Sequence, residues 1–149
     1  MAPSEPVSRA GACAPLTAAR PPTAMCPETP RAQRRLAPGD EAPTQARQFL
    51  RAAGCVTHHA EIVEDAVLLV SELVSNSVLH GGPPVVVAIE CDGDALQVRV
   101  RDGSSVMPAR RTAGHGDESG RGLALVDTLS SDWGVDPKPD GKHVWFVLR

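Results

Sequence analysis

The 149-residue sequence has no tyrosine, and its four aromatic rings, Phe49, Trp133, Trp145 and Phe146, all lie beyond residue 43. Residues 1–43 also lack large aliphatic side chains apart from Val7, Leu16 and Leu36, and they carry nine of the 14 prolines. A stretch so poor in apolar groups cannot offset the conformational entropy lost on ordering it. Residues 1–36 are therefore expected to form a disordered Pro/Ala/Arg-rich tail, and residues 37–149 a single folded domain. Positive charge is scarce as well. Fifteen basic against 18 acidic residues leave a net charge of −3, without the clustered basic face that nucleic acid requires, so no direct nucleic-acid partner is expected. No run approaches the ~20 apolar residues of a membrane helix, and the start Met-Ala-Pro-Ser-Glu lacks the basic and apolar regions of a signal peptide. The expectation is a cytoplasmic protein with no membrane contact.

Cysteine has no paired spacing: Cys13, Cys26, Cys55 and Cys91 are scattered, which argues for free thiols rather than a disulfide framework. Cys55 with His58 and His59 is half a zinc site without its other half. Three catalytic motifs are missing. Gly134 and Gly141-Lys142 are separated by six residues where a Walker A loop needs four, and His143 stands where Ser or Thr would hold magnesium. No Gly-x-Ser-x-Gly elbow is present, which excludes the common serine hydrolase arrangement. The domain is preceded by a proline-rich stretch, not by a helical hairpin carrying a phospho-accepting histidine, so a phosphoryl acceptor must come from another molecule.

What is present reads as alternating helices and hairpins. Ala46, Phe49, Leu50 and Ala53 recur at helical spacing over residues 41–53, with Gly54 as a stop. Over residues 61–80, Val63, Val67, Val70, Val74 and Val78 form one apolar stripe, closed by Gly81-Gly82. Val85, Val87, Ile89 and Cys91, then Leu96, Val98 and Val100, alternate on either side of Asp92-Gly93-Asp94 and predict a β-hairpin. Residues 103–120 show no period and form an expected loop, with a helix from Arg121 and a closing hairpin around Asp140-Gly141. The pattern predicts an α+β fold, a two-layer sandwich of a mostly antiparallel sheet with helices packed on one face.

Three polar groups stand out. Glu72, Asn76 and His80 lie at i, i+4 and i+8, along one helix face displaced from the valine stripe. Asp102 ends a hydrophobic strand and precedes Gly103 and Ser104, where a carboxylate is either a turn former or an acceptor facing a ligand. Ser119-Gly120-Arg121-Gly122-Leu123 opens the last helix, and its glycines leave backbone N–H groups at the positive end of the helix dipole accessible to an anion.

Taken in order, Glu72-Leu73-Val74-Ser75-Asn76-Ser77-Val78-Leu79-His80, Val100-Arg101-Asp102-Gly103-Ser104 and Gly120-Arg121-Gly122-Leu123-Ala124-Leu125-Val126 resemble the N, G1 and G2 boxes of the GHKL (Bergerat) ATP-binding fold. Within that fold the chain is most similar to the anti-sigma factor serine/threonine kinases, the short single-domain regulators of actinobacteria. The Asp132-Trp133-Gly134-Val135 and Gly141-Lys142-His143-Val144-Trp145 segments resemble their closing strands. The resemblance implies ATP and Mg²⁺ as cofactors, with Asn76 as the metal ligand and Asp102 as acceptor of the adenine amino hydrogen. It implies further nucleotide contacts from His80, Gly103, Ser104, Gly120, Arg121, Gly122 and Leu123, and Glu72 as catalytic general base. A lid would span residues 107–119, with Arg110, Arg111 and Arg121 available to phosphate charge. Partners implied are a sigma factor, an anti-anti-sigma (STAS-type) protein, or both, and the family makes a homodimer plausible. Three positions depart from the family pattern: Ser104 replaces a glycine, Ser77 an alanine, and His143 a threonine that helps the adenine-binding aspartate. A catalytically inactive nucleotide- or protein-binding module of the same fold is the alternative.

Overall fold

The computed structural model describes residues 31–53, 61–91, 95–106 and 118–149, with the backbone alone described for 118–122. In chain order the elements are β1 (Arg31–Leu36), α1 (Ala42–Ala53), α2 (Val63–His80), β2 (Val85–Cys91), β3 (Leu96–Asp102), α3 (Glu118–Leu129), β4 (Asp132–Lys138) and β5 (Gly141–Leu148). The strands form one sheet in the order β1-β2-β3-β5-β4, antiparallel at every pairing. The fold is α+β, as the hydrophobic periods predict.

Two periods meet in the core. Val85, Val87 and Ile89 of β2, Leu96, Val98 and Val100 of β3, and Val144, Phe146 and Leu148 of β5 point from alternate positions to the helical side. Against them lie Val63, Val67, Val70 and Val74 of the predicted α2 stripe, together with Leu69 and Leu73, and Ala46 and Leu50 of α1. Val78 packs at the margin, partly buried. Each aliphatic side chain fully buried here contributes about 1.5–3 kcal/mol, comparable to the ~1–2 kcal/mol lost in ordering one residue's backbone. At the end of α2, the Gly81 N–H donates to the Ser77 carbonyl at 3.0 Å and stops the helix next to β3.

Two expectations need correction. Residues 31–36, assigned to the tail, form β1, which pairs along its whole length with Val85–Glu90 of β2. Only Leu36 in this strand is buried, because an edge strand is held chiefly by main-chain hydrogen bonds on one side and can carry polar side chains. Arg31 also reaches Glu90 at 3.1 Å. Residues 1–30 of the expected tail lie outside the described residues. The last helix starts at Glu118, three residues ahead of the expected Arg121, so the Gly-x-Gly segment belongs to its first turns.

Candidate functional site

Asp102, the last residue of β3, is 2% exposed. A carboxylate that deep must be supplied with donors. Three come from different elements. The Lys142 Nζ of β5 donates to Oδ1 at 2.9 Å, the Ser104 backbone N–H donates to the same oxygen at 2.9 Å, and the Ser77 hydroxyl of α2 donates to Oδ2 at 3.1 Å. Lys142 is 6% exposed and its ammonium also lies 3.5 Å from the Ser104 carbonyl oxygen. Sheet register explains the pair, since Asp102 stands directly opposite Lys142 across β3 and β5.

Glycine makes the approach possible. A Cβ at Gly81 would lie 2.7 Å from the Asp102 carboxylate, and one at Gly141, where φ is +151°, would lie 1.9 Å from the Asp102 carbonyl oxygen. Both positions require the absence of a side chain. The Gly103 N–H donates to the Gly82 carbonyl at 2.7 Å, which ties the turn after β3 to the segment after α2.

The structure therefore brings Asp102, Gly103 and Ser104 together with the C-terminal end of α2. Glu72 and Asn76 lie half-buried on that helix, Asn76 adjacent to the Ser77 that touches Asp102, while His80 is exposed at its end. Gly120, Arg121 and Gly122 fall in the first turns of α3, where the leading backbone N–H groups of a helix have no intrahelical acceptor. Leu123 sends its side chain into the core at 5% exposure, and as the sixth residue of α3 it lies beyond the first turn whose N–H groups are unpaired, so its expected nucleotide contact is not supported. Arg110, Arg111, His115 and most of the expected lid, residues 107–117, lie outside the described residues.

One assignment moves. His143, at the position ascribed to an aspartate-assisting threonine, pairs in register with Arg101 and stands on the opposite side of the sheet from Asp102. Burial, with the nearby charges of Lys138, Arg99 and Arg101, pushes its pKa below the usual histidine value, against a smaller opposing effect of Asp136. The residue that assists Asp102 is Lys142. A one-residue difference flips a strand side chain to the other face, and no spacing rule places two residues 40 apart in direct register. Ser77 did leave a signal: it lies seven residues after Val70 and three after Val74, on the stripe that is otherwise apolar.

On the outer face of β1–β3, a cavity of about 320 Å³ is lined by Arg31, Gln33, Glu90, Gln97 and Arg99. It lies on the sheet face away from the Asp102 side chain. Among the described residues no cluster of three His, Cys, Asp or Glu side chains could hold a metal on its own. Asn76, half-buried beside Ser77, offers a single neutral oxygen, which fits a magnesium ion only where phosphate oxygens and water complete its shell, as is usual for this metal.

Residues 37–148 match the histidine kinase-like ATPase domain family, and the chain belongs to that family. Its fold is similar to a chain in the crystal structure of the RsbU and RsbW domains of Rv1364c from Mycobacterium tuberculosis, with a TM-score of 0.57 and 24% sequence identity. The match covers 81% of this chain and 32% of that one, so the present chain spans about a third of the length of its structural neighbour. Comparison with curated proteins finds no match.

Proposed function

We propose that this protein is an ATP-binding regulator of the anti-sigma factor type, a serine kinase that phosphorylates an anti-anti-sigma partner, sequesters a sigma factor, or does both. The observation that supports this most directly is the Ser77–Asp102 hydrogen bond at 3.1 Å. It clamps the turn of α2 that carries Asn76 to the strand end that carries the buried acceptor. Base-binding and phosphate-binding ends of one nucleotide site are thereby fixed relative to each other, which is the preorganisation that phosphoryl transfer depends on.

In this reading Asp102 accepts the amino hydrogen of the adenine, and Gly103 and Ser104 shape the turn beside the ring. Asn76 is the protein's ligand to the magnesium ion, whose charge offsets that of the phosphates. The unpaired backbone N–H groups of the first turn of α3, up to Gly120, face the phosphate oxygens at the positive end of the helix. Glu72 takes the proton of an acceptor serine hydroxyl. The serine oxygen then bonds to the γ-phosphorus as the bond to the departing ADP oxygen breaks. The product phosphoserine carries about −2 charge and disrupts the partner interface by repulsion. Among the described residues no helix is long and apolar enough to cross a membrane, and the cytoplasm is the compartment this function requires.

Calorimetric titration with ATP and Mg²⁺ tests the site. Saturable binding that Asp102→Asn and Asn76→Ala both weaken by about tenfold or more is expected from the loss of a charge-assisted bond. Absence of binding at millimolar ATP would leave the fold as a nucleotide-independent interaction module. For catalysis, Glu72→Ala should abolish transfer to a cognate partner while ATP still binds. An unaltered protein that binds ATP yet transfers no phosphate to its partner would sink the kinase assignment.

A further inference from the structure

The helices cover one face of the sheet, and no described element lies on the other. That outer face is nevertheless enclosed over much of its area. Trp145 and Val147 of β5 alternate with the core residues Val144, Phe146 and Leu148 and so point outward, where with Ala95 they form an apolar cluster separate from the main core. Trp145 is 3% exposed, Val147 5%, and Gln97, opposite Val147 on β3, 2%. A single layer of side chains on an open antiparallel sheet leaves its upper surface to water. Trp145 has little beside it that could close over an indole, since its β4 neighbour on that face is Gly134. Burial of this degree requires a further layer of chain, and because Trp145 is enclosed within one copy, that layer belongs to the same chain.

Four stretches lie outside the described residues, and three are badly placed to supply it. Residues 54–60 join α1 to α2, and residues 107–117 lead to α3, so both end on the helical side. Residues 92–94 only turn β2 into β3 at one end of the sheet. Residues 1–30 end at Arg31, whose register runs through Glu90 and Gln97 to Val147, straight across the enclosed patch. Three strand spacings separate Arg31 from Val147, about 14 Å, which roughly five extended residues span.

The chemistry of the two surfaces is complementary. The outer face carries donors in excess: the Trp145 Nε1, Arg99 Nε and Arg101 Nε are buried with no hydrogen-bond partner among the described residues. Residues 1–30 contain seven prolines, and each proline brings a carbonyl acceptor without an N–H donor. Proline-rich chain also runs extended without internal hydrogen bonds, which suits it to lie on a face where no ladder is offered. Val7, Leu16, Met25 and the proline rings supply apolar contact for the indole, and Glu28 supplies a carboxylate for the arginines. We propose that residues 1–30 dock across the outer face of the sheet of their own chain, over Gln97, Trp145 and Val147. Too poor in apolar groups to fold alone, the segment gains order from a face that the domain has already built.

Nuclear Overhauser contacts of the Trp145 ring in the full chain provide the test. Contacts to side chains within residues 1–30 are expected; a ring whose contacts are all to residues beyond 30 overturns the proposal. Mixing isotope-labelled with unlabelled chains identifies a second copy, and contacts seen only between copies overturn it as well. Deletion of residues 2–30 gives an independent readout. Trp133 stays in the core at 1% exposure, so uncovering Trp145 should shift the emission to longer wavelength and raise quenching by acrylamide. A folded deletion variant with unchanged emission and quenching would show that another segment covers the face. Should the deletion variant not fold, the contacts in the full chain decide.

Discussion

Two buried regions of this molecule are built on opposite principles. Between the helices and the sheet lies an apolar layer in which Val70, Val74, Val98 and Phe146 are fully enclosed and touch one another without directional demands. At the end of β3 lies a second buried region, almost as inaccessible, in which Asp102 and Lys142 are enclosed with three hydrogen bonds to the carboxylate and glycines at close approach. The first gains stability in proportion to area and tolerates exchange of one aliphatic for another. The second gains little net energy from burying two charges, since desolvation offsets most of their attraction, but it holds particular atoms at particular places. A domain of this size uses the one to exist and the other to fix the end of β3 against α2 and β5.

Breaking each region should show the contrast. Phe146→Ala, at a fully buried ring, is expected to cost about 3–5 kcal/mol in urea unfolding, by lost transfer energy plus a cavity. A cost near zero would mean the core had collapsed around the gap. Lys142→Met alone should cost a similar ~3–5 kcal/mol, for a different reason: it leaves the Asp102 carboxylate buried without its counter-charge. The two cases separate in a double-mutant cycle. Adding Asp102→Asn to Lys142→Met should restore about 2 kcal/mol or more, whereas adding a second truncation to Phe146→Ala should restore nothing.

Smaller effects sharpen the comparison. Ser77→Ala removes one hydrogen bond to a charged group and should cost about 1.5–3 kcal/mol, more than a hydroxyl in a water-exposed position would. On the outer face, His143 has a pKa depressed by burial and by neighbouring positive charge. The unfolded chain then takes up the proton first as pH falls below ~6.5, so the stabilising contribution is present above that value and is lost on acidification toward the lower folded pKa. Denaturation midpoints measured across that window should fall with pH, and His143→Gln should flatten that part of the slope. Leu79→Ser, at 66% exposure, should change stability by no more than about 0.5 kcal/mol.

Much of the fold was legible because it follows from local periods. The valine stripe of α2 and the alternation in β2 and β3 each place a residue by the geometry of its own element, and all landed where the periods pointed. Strand β1 was hidden because RAQRRL has neither alternation nor apolar content, and its place depends on the edge that β2 offers. In the site, Asp102 was visible as a strand-end carboxylate before glycine, and Asn76 and Glu72 as a polar row on a helix. Ser77 passed as a minor substitution, although a hydroxyl on an otherwise apolar stripe calls for a buried partner.

By itself, then, the sequence determined the helical segments, the β2–β3 and β4–β5 hairpins and the side of the sheet that is covered by helices. Each depends on spacings of a few residues, where chain geometry leaves little choice. Only the tertiary structure decided that β5 lies between β3 and β4, setting Lys142 rather than His143 against Asp102. Pairing strands separated by an intervening helix and strand depends on the packing of the whole domain, and a register counted in single residues then decides which side chain faces the site.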